Sequence, residues 1–162
     1  AVPAFATVMH SEDRLIVSAT LNAPLTKVAD DKPAEPSPDG ATLIKGQNVR
    51  LLLATAEHQY SFVVTPDGRS ADARDGSWEF DEPDWTATNR RLGDSWVVEI
   101  TVPRRILGDR AGMRINIVHA NPSAEIEDCL SATFDIGSDP DRNPHFRFGD
   151  TNVERFARLV IE

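Results

Sequence analysis

The sequence contains a single cysteine, Cys129, so no internal disulfide can brace the fold and stability has to come from a buried core. It contains no long apolar run: nothing approaches the roughly eighteen consecutive apolar residues of a membrane-spanning helix. Its opening residues, AVPAFATVMH, have neither the basic nor the apolar region of a secretory signal. Positive charge is scarce, with 17 Lys and Arg against 26 Asp and Glu and a net charge of −9. Phosphate backbones and anionic headgroups are bound by clustered Lys and Arg, so nucleic acid and membrane surfaces are not expected partners. Absent too are G-x-S-x-G, H-E-x-x-H, a glycine-rich phosphate loop and an activated-cysteine context, and the chain is predicted not to be an enzyme. There is no sustained helical period of ten or more residues and no internal repeat.

What remains is alternation. In GDSWVVEITVP, residues 93–103, Trp96, Val98, Ile100 and Val102 share one parity while Val97, Glu99 and Thr101 share the other, the period of a strand with one buried face. Gly93-Asp94 turns the chain into this strand, and Pro103, with no N–H to give a ladder, ends it. The same pattern predicts a hairpin of residues 4–9 and 14–21 about the polar turn Ser11-Glu12-Asp13. Further strands are expected at 48–54, 58–65, 86–92, 113–119, 128–135 and 154–162, with Pro66-Asp67-Gly68 as a tight turn and RRILGD after Pro103 as one helical turn at most. Three irregular stretches separate them: a proline-rich excursion at 22–46, an acidic loop DARDGSWEFDEPDW at 72–85, and GSDPDRNPHFRFGD at 137–150. The fold class is therefore an all-β, antiparallel β-sandwich, jelly-roll-like, of about nine or more short strands. Its 162 residues, 40% apolar, suit a single domain, 1–162.

The order QYSFVVTPDGRSADA, an acidic loop closing on Asp84-Trp85, DSWVVEITVP, GMRINIVHA and FARLVIE resembles the family 9 carbohydrate-binding modules and the wider DOMON-like sandwiches. The resemblance covers residues 47–162. It implies a non-catalytic carbohydrate-binding or accessory domain of a secreted bacterial glycan-acting protein, extracellular or periplasmic, partnered by a glycan or by a neighbouring domain of the same polypeptide. The family's usual opening Asp-Gly and Trp-bearing strand is missing before Ala4, so the chain reads as a fragment lacking its first strand. Sugar-binding members clamp a sugar between two tryptophans. Where the resemblance puts them, this chain has Leu43-Ile44 and His145-Phe146-Arg147-Phe148.

The candidate carbohydrate-binding residues are therefore Trp78 and Trp85, with His145, Phe146 and Arg147 from the region of the second clamp. A pyranose presents aliphatic C–H groups that pack on an aromatic face, while its hydroxyls need polar partners at the rim; Asp75, Glu79, Asp81 and Glu82 are candidates for that rim. The plainer expectation is that Trp85 caps the sandwich core and that Trp96 lies inside it. Asp139, Asp141 and Asn143 have the D-x-D-x-N spacing of a calcium loop, though Pro144 stands where such a loop needs glycine. No cofactor is expected; a structural calcium at these residues is the candidate to weigh against a plain solvated acidic loop. His119 continues the parity of Ile115 and Ile117 and is expected to face inward at a strand end. The alternatives to sugar binding are a structural interdomain module without ligand, and a haem b-binding electron-transfer domain of DOMON type, for which Met9 and His119 would be the axial pair.

Overall fold

The computed structural model describes residues 5–22, 27–108, 114–121, 126–129 and 157–158. They form an all-β sandwich of two sheets. The first contains β1 (Phe5–His10), β2 (Arg14–Asn22), β3 (Lys32–Pro33), β8 (Thr86–Leu92) and β9 (Ser95–Pro103), in the order β1-β2-β9-β8-β3. The second is built from β4 (Glu35–Pro36), β5 (Asn48–Ala54), β6 (Gln59–Val64), β7 (Arg69–Arg74), β10 (Arg114–Asn121) and β11 (Ile126–Cys129), in the order β11-β10-β5-β6-β7-β4, and β12 (Ala157–Arg158) also pairs with β10. Every pairing is antiparallel except β4 with β7.

Alternation decides which side chains close the core. Along β2, Leu15, Val17, Ala19 and Leu21 are buried; along β9, Trp96, Val98, Ile100 and Val102. The register places Leu21 opposite Trp96, Ala19 opposite Val98 and Val17 opposite Ile100, so both rows lie on one face of the first sheet. They meet Val49, Leu51 and Leu53 of β5, Tyr60, Phe62 and Val64 of β6, and Ile115 and Ile117 of β10 in one cluster. The turns at Pro66-Asp67-Gly68 and Gly93-Asp94 stand where the sequence predicts them. Gly68 and Gly93 take φ of 87° and 62°, a region that costs glycine nothing, and Gly68 N–H donates to Thr65 O at 3.1 Å.

Two features escape the alternation rule. The excursion at 22–46 includes a strap that ties the two sheets together. Its β3 pairs with β8 of the first sheet, and two residues later its β4 pairs with β7 of the second. Between them, Ala34 N–H donates to Ala87 O at 2.8 Å and Glu35 N–H to Gly68 O at 2.8 Å. Pro33 and Pro36 flank this crossing on sheet edges, where a missing N–H costs little. The strap ends in a short helix, α1 (Gly40–Leu43), capped by Asp39, whose carboxylate accepts from Thr42 N–H at 3.2 Å.

The second feature is β7, within a stretch expected to be loop from Asp72 onward. Its Ser70, Ala71, Asp72 and Ala73 are all buried, since one face meets the sandwich interior and the other lies under α1 and Trp78. A strand buried on both faces loses its polar alternation, and small residues conceal it further. Asp75 and Gly76, both at positive φ (53° and 81°), then turn the chain back as a type I′ hairpin, with Arg74 and Ser77 exchanging backbone bonds of 3.1 and 2.9 Å.

Candidate functional site

The strap and the loop that follows β7 face each other across a cleft of about 600 Å³. Pro33, Pro36 and Pro38 form its strap wall, Ser70 to Asp72 of β7 part of its floor, and Trp78, Phe80 and Trp85 its opposite wall. The structure therefore brings the two candidate tryptophans to one cleft. They are seated differently. Trp85 is half-buried with its ring centroid 5.0 Å from that of Phe62, at 57°, and caps the main core, as the plainer expectation had it. Trp78 is half-buried as well, but on the outer face of the second sheet, where it packs with Leu43, Val63 and Ala71. A Cβ on Gly40 would lie 2.8 Å from Trp78 Cδ2 and closer still to Cε3, so only glycine lets α1 approach the indole. Trp78 is thus a partly covered ring with one side pinned by α1, not a free-standing platform.

Four carboxylates line the cleft: Asp72, Glu79, Asp81 and Glu82. Two of them hold the loop in place. Asp72, buried, accepts the Glu82 N–H at 2.7 Å. Glu82, also buried, accepts the Asp84 N–H at 3.2 Å and the Arg105 guanidinium, which reaches Asp84 as well at 2.8 Å. Burial pushes the Asp72 carboxyl above the ordinary carboxylate range; the Glu82 N–H works against that, while the charges of Asp81 and Glu82 add to it. Glu79 and Asp81 are exposed, and among the described residues neither forms a salt bridge. They are the carboxylates available at the rim. Asp75 is not among the lining residues: its carboxylate accepts from Gln59 N–H at 2.9 Å and bonds His58 Nδ1 at 2.7 Å, holding the type I′ turn to β6. That is a structural duty in place of the rim role considered for it.

His145, Phe146 and Arg147, and the calcium candidates Asp139, Asp141 and Asn143, lie outside the described residues. Among those described, no group of three or more His, Cys, Asp and Glu could hold a metal ion. Met9 and His119 are not brought together. Met9 pairs with Ile16, on the face of the first sheet opposite core-facing Val17, and is 49% exposed. His119 faces the interior of the second sheet, opposite Val49, with its ring edge-on to Trp96 at 6.1 Å and Nε2 3.2 Å from Gln47 Nε2. It is the inward, core-edge histidine its parity predicts.

A residue that sequence reading missed is Asn89. It is fully buried on β8; its Nδ2 donates to Thr65 O at 2.8 Å across the sandwich, and its Oδ1 accepts from Trp96 Nε1 at 3.1 Å. Its signal was an Asn at a core parity, two residues after Ala87.

No protein-family model and no curated protein matches this sequence. Among solved structures, the fold is similar to that of a Bacteroides uniformis protein provisionally named carbohydrate-binding, with a TM-score of 0.56 at 10% identity over 78% of this chain and 67% of the other. At that identity the likeness concerns the fold.

Proposed function

We propose that this chain is a non-catalytic carbohydrate-binding domain of a secreted bacterial protein acting on glycans, and that it binds sugar in the cleft between strap and acidic loop. The observation that carries this reading is the convergence of Trp78 and Trp85 on one cleft with exposed carboxylates at its rim. Ring faces take the aliphatic side of a pyranose, and Glu79 and Asp81 accept from its hydroxyls. The resemblance to family 9 modules puts a clamp residue at Leu43-Ile44. Leu43 is buried against Trp78, and this nearness of an indole to the position of the absent clamp residue supports the reading.

Titration with a panel of neutral oligosaccharides, followed by tryptophan fluorescence and calorimetry, tests the reading. A spectral shift with saturable heat is expected, lost in Trp78→Ala and reduced in Trp78→Phe. No response to any sugar would leave the other reading, a structural module whose loops pack on a neighbouring domain, which the half-burial of Trp78 also suits. The calcium weighed at Asp139, Asp141 and Asn143 is a separate proposal: added Ca²⁺ should raise the melting temperature by mass action, and Asp141→Ala should abolish the rise.

A further inference from the structure

The sign of the charge around the cleft narrows the ligand further than its shape does. Of the ionisable side chains lining it, all four are carboxylates, with no Lys, Arg or His among them. Two cations close to it are already engaged: Arg105 pairs with Glu82 of the cleft and with Asp84, and the Arg74 guanidinium, which is not among the lining residues, lies 4.9 Å above the Phe80 ring. Glu79 and Asp81 remain exposed without a salt bridge among the described residues, beside two indole rings that carry negative π faces. Carboxylates next to aromatic faces favour a cation: the ammonium is attracted by both, and the ring stacks on the rest of the ligand. A uronate or sulfate ester would meet the opposite field, reinforced by the net charge of −9.

From this we infer that the cleft selects amine-bearing, cationic sugars, glucosamine-type oligomers with free amino groups, over neutral and acidic glycans. The inference rests on the binding reading above and deepens it by naming the ligand class. In the bound state the sugar ammonium lies against Glu79 and Asp81, and the pyranose face lies against the indoles.

Calorimetry at low salt and a mildly acidic pH that keeps the sugar amine charged compares four tetramers: free-amine glucosamine, its N-acetylated counterpart, a cello-oligosaccharide and an oligogalacturonate. Tetralysine serves as a cation without pyranose faces. The free-amine sugar is expected to bind about tenfold more tightly than its acetylated counterpart, the galacturonate most weakly, and the preference should shrink as salt is added. In Glu79→Gln/Asp81→Asn the preference should disappear while affinity for the neutral sugar is kept. Glu12→Gln/Glu57→Gln, exposed and outside the cleft lining, should keep it. Equal binding of charged and neutral sugars, a preference that survives the Glu79/Asp81 change, or tetralysine binding as well as the amino sugar would each overturn the inference while leaving sugar binding standing. Failure of every sugar to bind would strike the binding reading itself, and the inference with it.

Discussion

Trp96 and Trp78 are the same residue type in two regions built on different rules. Trp96 is fully buried between the sheets, its N–H taken by Asn89, and it shares its core-facing parity with Val98, Ile100 and Val102. Trp78 lies at the cleft, half-covered, over a four-residue helix that glycine alone lets approach. The interior depends on a repeated pattern of many apolar residues, each reinforcing the next. The cleft depends on a few particular residues at unrepeated positions: a bridging strap with prolines, an Asp-Gly turn, one glycine under an indole, and the Asp72, Glu82 and Arg105 contacts. Loss of one side chain should therefore cost fold stability in the first region and local geometry in the second.

The largest effect is expected at Trp96. Trp96→Ala empties the largest fully buried side chain of the core and leaves Asn89 Oδ1 without its donor, which should cost about 3–5 kcal/mol. Trp78→Ala removes packing from one side of a half-buried ring and should cost roughly 1–3 kcal/mol. Urea unfolding of both variants measures the gap. Equal losses would show that the cleft is part of the cooperative core and break the comparison.

Next in size is Gly40→Ala. Its new methyl would overlap the Trp78 ring, and overpacking of this kind costs about 1–3 kcal/mol. The two changes share one contact, so their effects should not add: in Gly40→Ala/Trp78→Ala the alanine methyl has room, and the double variant should be more stable than the sum of the single losses implies. Strict additivity would place Trp78 away from α1.

How much of this was legible follows from the same division. Strand β9 was readable because Trp96, Val98, Ile100 and Val102 recur on one parity, and β5 because its run NVRLLLA is apolar enough to be buried on both faces; the predicted 48–54 and 86–92 match β5 and β8 residue for residue. Strand β7 was hidden because both of its faces are covered, and small side chains at 70–73 carry no apolar signal. The strap was readable as irregular but not as a bridge, since backbone bonds such as Ala34 N–H to Ala87 O join residues far apart in sequence. Of the site, Trp78 and Trp85 were legible as candidates because they share one acidic loop, and Trp85 as a cap on the core. That Asp75 belongs to a turn, and that Trp78 leans on Gly40, are facts of tertiary contact.

A smaller effect separates the carboxylates by pH. Asp72 has a folded-state pKa raised above 3.8, chiefly by burial, so the folded protein holds this proton more tightly than the unfolded chain. Its contribution to stability therefore falls as pH rises from the unfolded value through the raised folded value, and stays low above it. Exposed Asp39 and Asp75 run the other way: hydrogen bonds from Thr42, and from the Gln59 N–H and His58, lower their pKa values, and their stabilisation is lost as pH falls through those values. Asp72→Asn keeps an oxygen to accept the Glu82 N–H but cannot ionise. Urea midpoints taken across the acidic range should show the variant gaining on wild type as pH rises. A variant that gains as pH falls would mean that Asp72 is stabilised as a carboxylate, and the cleft floor would be a polar site in place of a desolvated one.

The smallest effect is expected at Met9, which belongs to neither region. Its side chain stands on the outer face of an edge strand, half-exposed and opposite Ile16. Met9→Leu conserves volume at a site that closes no core, so stability should change by less than about 0.5 kcal/mol. The same variant tests the electron-transfer alternative. Axial ligation needs both side chains on one iron, and Met9 lies on the outside of one sheet while His119 faces the inside of the other. Adding hemin to wild type and to Met9→Leu should therefore give identical visible spectra, whereas His119→Ala should behave as a core truncation, lowering the urea midpoint. A visible band that weakens in Met9→Leu and vanishes in His119→Ala would require the two sheets to part, and would overturn both the described packing of His119 against Trp96 and the sugar-binding reading built on this fold.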